Sequence, residues 1–291
     1  MKFLSFTSGD QAGLAVSASV GGADGEHFKG FLASQAGYPG SLQSLIERGP
    51  DALAHAGIAL LAGPTIDLAT IRYAPPLANP GKIICIGLNY VDHSVESGFA
   101  IPTYPAIFSR FASSMLGHNE AIVRPRASSQ LDYEGEMVAV IGKAGRHISK
   151  DQALSHVAGY SICNDASIRD FQFKSAQWTI GKNFDATGPF GPFFVTADAL
   201  PPGGAGLKIQ TRLNGVVVQD ATTASLIFDV ATLISLLSEA VCLQPGDVIV
   251  TGTPSGVGMA RKPPLWLKHG DVCEVEIEGL GILRSPVVDE A

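Results

Sequence analysis

Leu131-Asp132-Tyr133-Glu134-Gly135-Glu136-Met137, followed by Val138-Ala139-Val140-Ile141, decides how this chain is read. The apolar run has the make-up of a buried strand, and two glutamates stand at its head. Side chains two apart on a strand point to one side, so Glu134 and Glu136 aim at a common point. A second apolar stretch, Tyr160-Ser161-Ile162-Cys163-Asn164-Asp165, ends on another acid, and a neighbouring strand would bring Asp165 to that point. Three carboxylates that close repel one another unless a cation lies between them. With no His or Cys beside them, they suit a hard divalent ion, magnesium or manganese, with positions left open for substrate. Taken alone, the glutamate pair also fits a solvated strand end whose acids face water.

Composition narrows the partners. The chain has 291 residues, 46% hydrophobic and 16% charged, enough for a sizeable core in one large or two ordinary domains. A net charge of −7 without a basic block argues against nucleic acid or an anionic membrane surface as the main partner. No apolar run approaches the ~20 residues of a transmembrane helix, and Met1-Lys2-Phe3-Leu4-Ser5-Phe6 lacks a signal peptide's apolar stretch. Cys85, Cys163, Cys242 and Cys273 show no paired spacing and lie in apolar segments. They read as small hydrophobes in a reducing compartment, with the cytoplasm as the expected location.

Residues 1–77 read as a small N-terminal domain. It holds a strand over Leu14-Ala15-Val16-Ser17-Ala18 before a Gly21-Gly22 turn, and a helix from a Ser41 cap to Gly49. Pro75, Pro76, Asn79 and Pro80 mark a boundary, and residues 78–291 form the second unit. There Lys82-Ile83-Ile84-Cys85-Ile86 and Asp247-Val248-Ile249-Val250-Thr251 are buried-strand candidates. Ser149 with Gln152 has capping-box spacing and predicts a helix to about Ala158. Asp229 predicts another helix, with Val230, Leu233, Leu237 and Val241 on one face. Val272 to Ile277 alternates as a strand open to water on one side. Many short strands, frequent Gly and Pro and few helices give a β-rich α+β fold, without the regular alternation of a doubly wound sheet.

Four further segments carry candidate chemistry. His93 and Glu96 are three apart after the strand at 82–86. On a helix they share a face, and a Glu-oriented His can take a proton from water. Arg169 and Gln172 share the next turn after Asp165 and suit a carboxylate or keto oxygen; local pairing of Arg169 with Asp170 is the plainer reading. Lys182 stands among small and apolar residues and could offset substrate charge or a developing oxyanion; an exposed loop lysine is the alternative. Thr251-Gly252-Thr253-Pro254-Ser255-Gly256-Val257-Gly258 lacks the nucleotide-loop signatures and the nucleophile elbow. It reads as a tight turn whose amides and Thr253 hydroxyl hold an anionic group.

Taken together these segments resemble the fumarylacetoacetate hydrolase family. The likeness runs from about Lys82 to Val288. It rests on Ile86-Gly87-Leu88-Asn89-Tyr90 with His93 and Glu96, on Asp132-Tyr133-Glu134-Gly135-Glu136, on Asn164-Asp165 with Arg169-Asp170, on Gly181-Lys182-Asn183-Phe184, and on the Thr251–Gly258 loop. The resemblance implies a mixed β-sheet roll preceded by a small N-terminal domain, and a homodimer. It implies magnesium or manganese on Glu134, Glu136 and Asp165. It further implies catalytic roles for His93, Glu96 and Lys182, substrate contacts from Arg169, Gln172 and Thr253, and a lid over about 91–103. The substrate would be a keto acid. The expected activity is metal-dependent hydrolysis of the C3–C4 bond of a 2,4-dioxo acid, giving pyruvate or a substituted pyruvate and a carboxylic acid. The alternative is decarboxylation of oxaloacetate-type acids, or isomerisation and decarboxylation of unsaturated dioxo acids. Specificity is expected from Phe99, Ile101, Tyr104, Phe190, Phe193 and the Pro263-Pro264-Leu265-Trp266 loop.

Overall fold

The computed structural model describes residues 1–17, 27–96, 98 and 100–291; the expected Gly21-Gly22 turn and Phe99 lie outside them. Alternating or continuous apolar segments form nine strands along one mixed sheet: β1 (Lys2–Ser8), β2 (Gln11–Ser17), β3 (Lys29–Leu32), β4 (Ile83–Gly87), β5 (Ala106–Ser109), β6 (Gly135–Ile141), β7 (Val157–Asn164), β8 (Gly188–Thr196) and β9 (Val248–Val250). Their spatial order is β3-β2-β1-β8-β7-β6-β9-β4-β5. Two short strands, Arg72–Tyr73 and Met115–Leu116, attach to β1 and β8. Across from this sheet lies a five-stranded one, built from Val216–Thr222, Lys208–Leu213, Val272–Ile277, Gly281–Asp289 and Ile122–Arg124. The fold is β-rich α+β, as the pattern of short strands predicts.

Strand β6 shows how the sheet divides its environment. Met137, Ala139 and Ile141 enter a core shared with helix α5 (Val230–Ala240) and with Ile209 and Val275 of the second sheet. Val138 and Val140, on the opposite face, join a core with helices α1 (Leu42–Glu47) and α2 (Pro50–Leu60). By the same parity Glu136 belongs to the α1/α2 face, at the strand end beyond that cover.

The boundary drawn at 77 separates stretches that share a sheet and a core. β1 pairs with β8 through Lys2↔Val195 and Phe3↔Phe194, and Phe3, Leu14 and Leu45 pack with Cys85, Val138 and Phe194. The helix expected over 149–158 is absent. A single 3-10 turn at Ala153–His156 leads directly into β7. Val157 to Asn164 is bonded to strands on both sides, and two ladders outweigh a local capping signal. Asp229 does cap α5, accepting from Thr232 N–H at 2.7 Å. Val241, expected on its buried face, ends the helix and is exposed. Among the described residues no helix is long and apolar enough to cross a membrane.

Candidate active site

The antiparallel register of β6 and β7 brings the acids together. Gly135 faces Asn164 and Glu136 faces Cys163. One step beyond the ladder, Asp165 N–H donates to the Glu134 carbonyl at 2.8 Å. Ligand oxygens of Glu134, Glu136 and Asp165 therefore lie within 4.8 Å of one another, all buried. The glycine between the glutamates has a packing cause. A Cβ at 135 would stand 2.3 Å from Thr211 Oγ1, so the second sheet crosses where a side chain would be.

Cations surround this cluster. Lys182 is buried, which rules out the alternative of an exposed loop lysine, with Nζ 2.6 Å from both Glu134 Oε2 and Asp165 Oδ2. Arg169 does not pair with Asp170. Its Nε donates to Asp132 Oδ2 at 2.8 Å, its Nη1 to Gln172 Oε1 at 2.9 Å, and its Nη2 makes a 2.7 Å ion-pair contact with Glu134 Oε1. Arg169 and Gln172 both lie on the short helix α4 (Arg169–Gln172), and the short helix α3 (Val91–Glu96) places His93 at the same cavity with Glu96 beside it. Arg110, at the end of β5, is fully buried. It donates to Asp165 Oδ1 at 2.5 Å and to Thr187 Oγ1 at 2.8 Å. Sequence reasoning passed over both Arg110 and Asp132. Asp132 lay inside a quoted motif, but Arg110 has no local signal beyond a charge closing an apolar strand.

Four carboxylates (Asp132, Glu134, Glu136, Asp165) thus face three fixed cations (Arg110, Arg169, Lys182). The acid left over is Glu136, which has no ion-pair partner among the described residues. Burial, then the charges of Asp165 and Glu134, push its carboxyl well above the ordinary range. Glu134 goes the other way. Burial opposes its charge, but Arg169 and Lys182 outweigh it and hold the carboxyl down to about 2. Burial also opposes the Lys182 charge, and Asp165 and Glu134 more than offset that and raise the ammonium.

The Thr251–Gly258 loop does bind anionic groups with its amides, and the anions are the protein's own. Gly252 N–H donates to Glu136 Oε2 at 2.5 Å, Gly256 N–H to both Glu96 oxygens at 2.9 and 3.0 Å, and Gly258 N–H to Asp132 Oδ1 at 2.7 Å. Thr253 Oγ1 donates to the Gly135 carbonyl at 3.1 Å and accepts from Gln219 Nε2 at 2.8 Å. One loop therefore positions an acid of the cluster, the partner of His93 and the partner of Arg169. His93 Nδ1 is 3.7 Å from Glu96 Oε2 and has no hydrogen-bond partner although buried. Burial raises the Glu96 carboxyl. The His93 contact, the Gly256 amide and Arg261 overcome that and lower it overall. Asn89 fixes the entry to α3 by donating to the Phe228 and Thr251 carbonyls at 3.0 and 2.7 Å.

Seven of the nine expected site residues line a single cavity, and the other two touch residues that do: Glu96 beside His93 and Asp165 behind Lys182. The apolar wall is not the expected one. Phe108, Phe173, Trp178 and Met259 supply it. Phe190 and Phe193 belong to two core clusters instead, Tyr104 lines a separate groove, and Ile101 and Pro263 to Trp266 do not line the cavity.

The donor set fits a divalent cation. Three all-oxygen ligands converge, each carboxylate oxygen retains a second lone pair beside its hydrogen bond, and Glu136 is a buried acid in want of positive charge. Lys182 lies against two of the three, so a cation enters a cluster that is already partly neutralised.

Known proteins resemble this chain over most of its length. The profile of the fumarylacetoacetate (FAA) hydrolase C-terminal family matches residues 82–288. A mitochondrial oxaloacetate tautomerase of Rattus norvegicus is 43% identical over 252 residues, 86% of this chain and 80% of its own. Its Xenopus laevis counterpart is 40% identical over 291 residues, 99% of this chain and 90% of its own. Among solved structures, a fumarylacetoacetate hydrolase from Exiguobacterium antarcticum superposes with a TM-score of 0.86 at 37% identity, covering all of both chains. The chain belongs to the fumarylacetoacetate hydrolase family.

Proposed function

We propose that this chain is a metal-dependent enzyme that interconverts the keto and enol forms of a short 2-oxo dicarboxylate of the oxaloacetate type. The observation that carries the reading is the 40–43% identity, over most of the chain, to relatives named oxaloacetate tautomerases, joined to a cavity that holds a proton acceptor beside an acid cluster. This moves the weight from hydrolysis of acylpyruvates, the first expectation, to the alternative on the 2-oxo acid side.

Glu134, Glu136 and Asp165 would hold magnesium or manganese. When bound, the ion acts as a Lewis acid on the carbonyl of a 2-oxo acid. The chain's own residues then divide the remaining work. Arg169 and Gln172 present donors to a substrate carboxylate, and the Lys182 ammonium lies where negative charge at the C2 oxygen would be stabilised. His93, oriented by Glu96 through Nδ1, takes a proton from C3 with its other nitrogen. The C2 oxygen gains a proton in exchange, which gives the enol with no change in mass. The 3.7 Å His93–Glu96 separation tightens to a hydrogen bond when α3 closes as a lid. Loss of carbon dioxide from C4 would also place negative charge on the C2 oxygen, as the enolate of pyruvate, so the same stabilising groups make decarboxylation a neighbouring outcome of one site.

We also propose a homodimer, supported by the exposed Tyr104, Ile107 and Phe111 beside the edge strand β5. The cytoplasm stands as a proposal on the four free cysteines, against relatives whose names carry a mitochondrial location.

The test follows enol absorbance of oxaloacetate with magnesium, together with carbon dioxide release, and in parallel acylpyruvate cleavage in ¹⁸O-labelled water. Metal-dependent acceleration of keto–enol exchange, abolished by chelator, is expected. No acceleration, alongside acylpyruvate cleavage that places ¹⁸O in the acid product, would overturn the reading in favour of hydrolysis.

A further inference from the structure

The cavity bounded by the acid cluster is small, about 30 Å³. One side is charged and anchors the reacting end of a 2-oxo acid. Chain beyond C3 that is not held by the charged side meets the apolar side, where Trp178 stands with Phe108, Phe173 and Met259. The Trp178 indole is seated directly on Gly87, where a Cβ would stand 2.3 Å from its Cζ3. Its ring meets Phe108 edge-on, with centroids 5.4 Å apart at 63°. The register of β4 with β5, Cys85↔Phe108 and Gly87↔Ala106, puts Phe108 and Gly87 side by side, so the absent side chain at 87 makes the slot that the indole fills.

Trp178 is held there by more than packing. Lys182 N–H donates to the Trp178 carbonyl at 3.2 Å, so one turn of chain carries both the indole and the ammonium. Asn183 staples that turn to the β5 end, donating to the Ser109 and Thr179 carbonyls at 3.0 and 2.7 Å and accepting from Phe111 N–H at 2.6 Å. The indole itself packs on Gly87 and against Phe108, so a longer substrate must displace it from both, whereas a flexible side chain would swing away at little cost.

We propose that Trp178, seated on Gly87, is the specificity-determining residue of this site and limits it to 2-oxo acids with short chains beyond C3. The inference rests on the 2-oxo acid reading of the cavity. It assigns Trp178 no part in proton transfer or in holding metal.

The experiment compares the metal-loaded wild type with Trp178→Ala and Trp178→Phe. It measures kcat/KM for oxaloacetate against a series of 2,4-dioxo acids of increasing acyl length, and calorimetric binding of oxalate, which mimics the C1 carboxylate and C2 enolate oxygen alone. Trp178→Ala should raise the long-to-short ratio at least tenfold, through KM for the long substrates, with Trp178→Phe between the two. Oxalate affinity should stay within twofold, since it does not reach the indole. A ratio unchanged within twofold in both variants, with oxalate binding retained, overturns the Trp178 assignment alone. Failure of the wild type to bind oxalate or turn over any of these acids overturns the 2-oxo acid reading and the inference with it. Should the alanine variant not fold, the phenylalanine variant carries the same comparison.

Discussion

Replacing Glu136 with glutamine tests the charge count at the centre of the site. In the metal-free protein Glu136 is a buried carboxylate with one amide donor, Gly252 N–H, and no cation. Its folded-state pKa lies well above the ordinary 4.5. The unfolded chain therefore releases this proton first, and the folded state is penalised as pH rises from 4.5 toward the raised value. Within that window the loss is about 1.4 kcal/mol per pH unit. Glutamine has the same shape, keeps an oxygen for the Gly252 amide and does not titrate, so Glu136→Gln removes the slope. Metal reverses the comparison. At about 100 times Kd it stabilises the wild type by about 2.7 kcal/mol and the variant far less. The assay is thermal unfolding of both proteins from pH 5 to 8, first with chelator and then with magnesium or manganese. A chelated variant less stable than wild type at pH 8, or a metal shift that survives in the variant, would refute the reasoning.

His93→Ala should slow exchange of the C3 proton of oxaloacetate by about 10²–10⁴ while calorimetric metal affinity changes little, because the ion-pair partner of His93 is Glu96 rather than an acid of the cluster. Lys182→Met leaves Glu134 and Asp165 with only their arginine partners, so divalent-metal affinity should rise while turnover falls; weaker metal binding in that variant would contradict the placement of Nζ between the two acids. Asp132→Ala removes the acceptor of Arg169 Nε and of the Gly258 and Met259 amides and leaves Glu134 as the one carboxylate on Arg169, a loss of about 1–3 kcal/mol readable in urea unfolding. Glu134, held from 4.5 down to about 2, contributes stability that is present above pH 4.5 and lost as pH falls toward 2, on the order of 3 kcal/mol. Acid unfolding of Glu134→Gln should lack that component.

What the sequence made legible, and what it did not, follows from the reach of each signal. Strand parity placed Glu134 and Glu136 on one side, because a period of two is a local property of the chain. Antiparallel return through the connection over 142–156 then carried Asp165 to them. The same locality misled at 149–158, where a serine–glutamine pair signals a helix but β7 is claimed by ladders from both neighbours. It misled again at Phe190 and Phe193, whose aromatic character says nothing about which core receives them. Charge balance lies furthest beyond such reasoning. Whether Glu136 is paired depends on where the other cations point. Lys182 and Arg169 turn to Glu134, and Arg110 turns to Asp165 from an edge strand 55 residues away. Each of those cations, read alone, has a nearer partner or open solvent. Only when three strands and two loops meet does one acid remain without a counter-charge, and that residue carries the strongest demand for a metal ion.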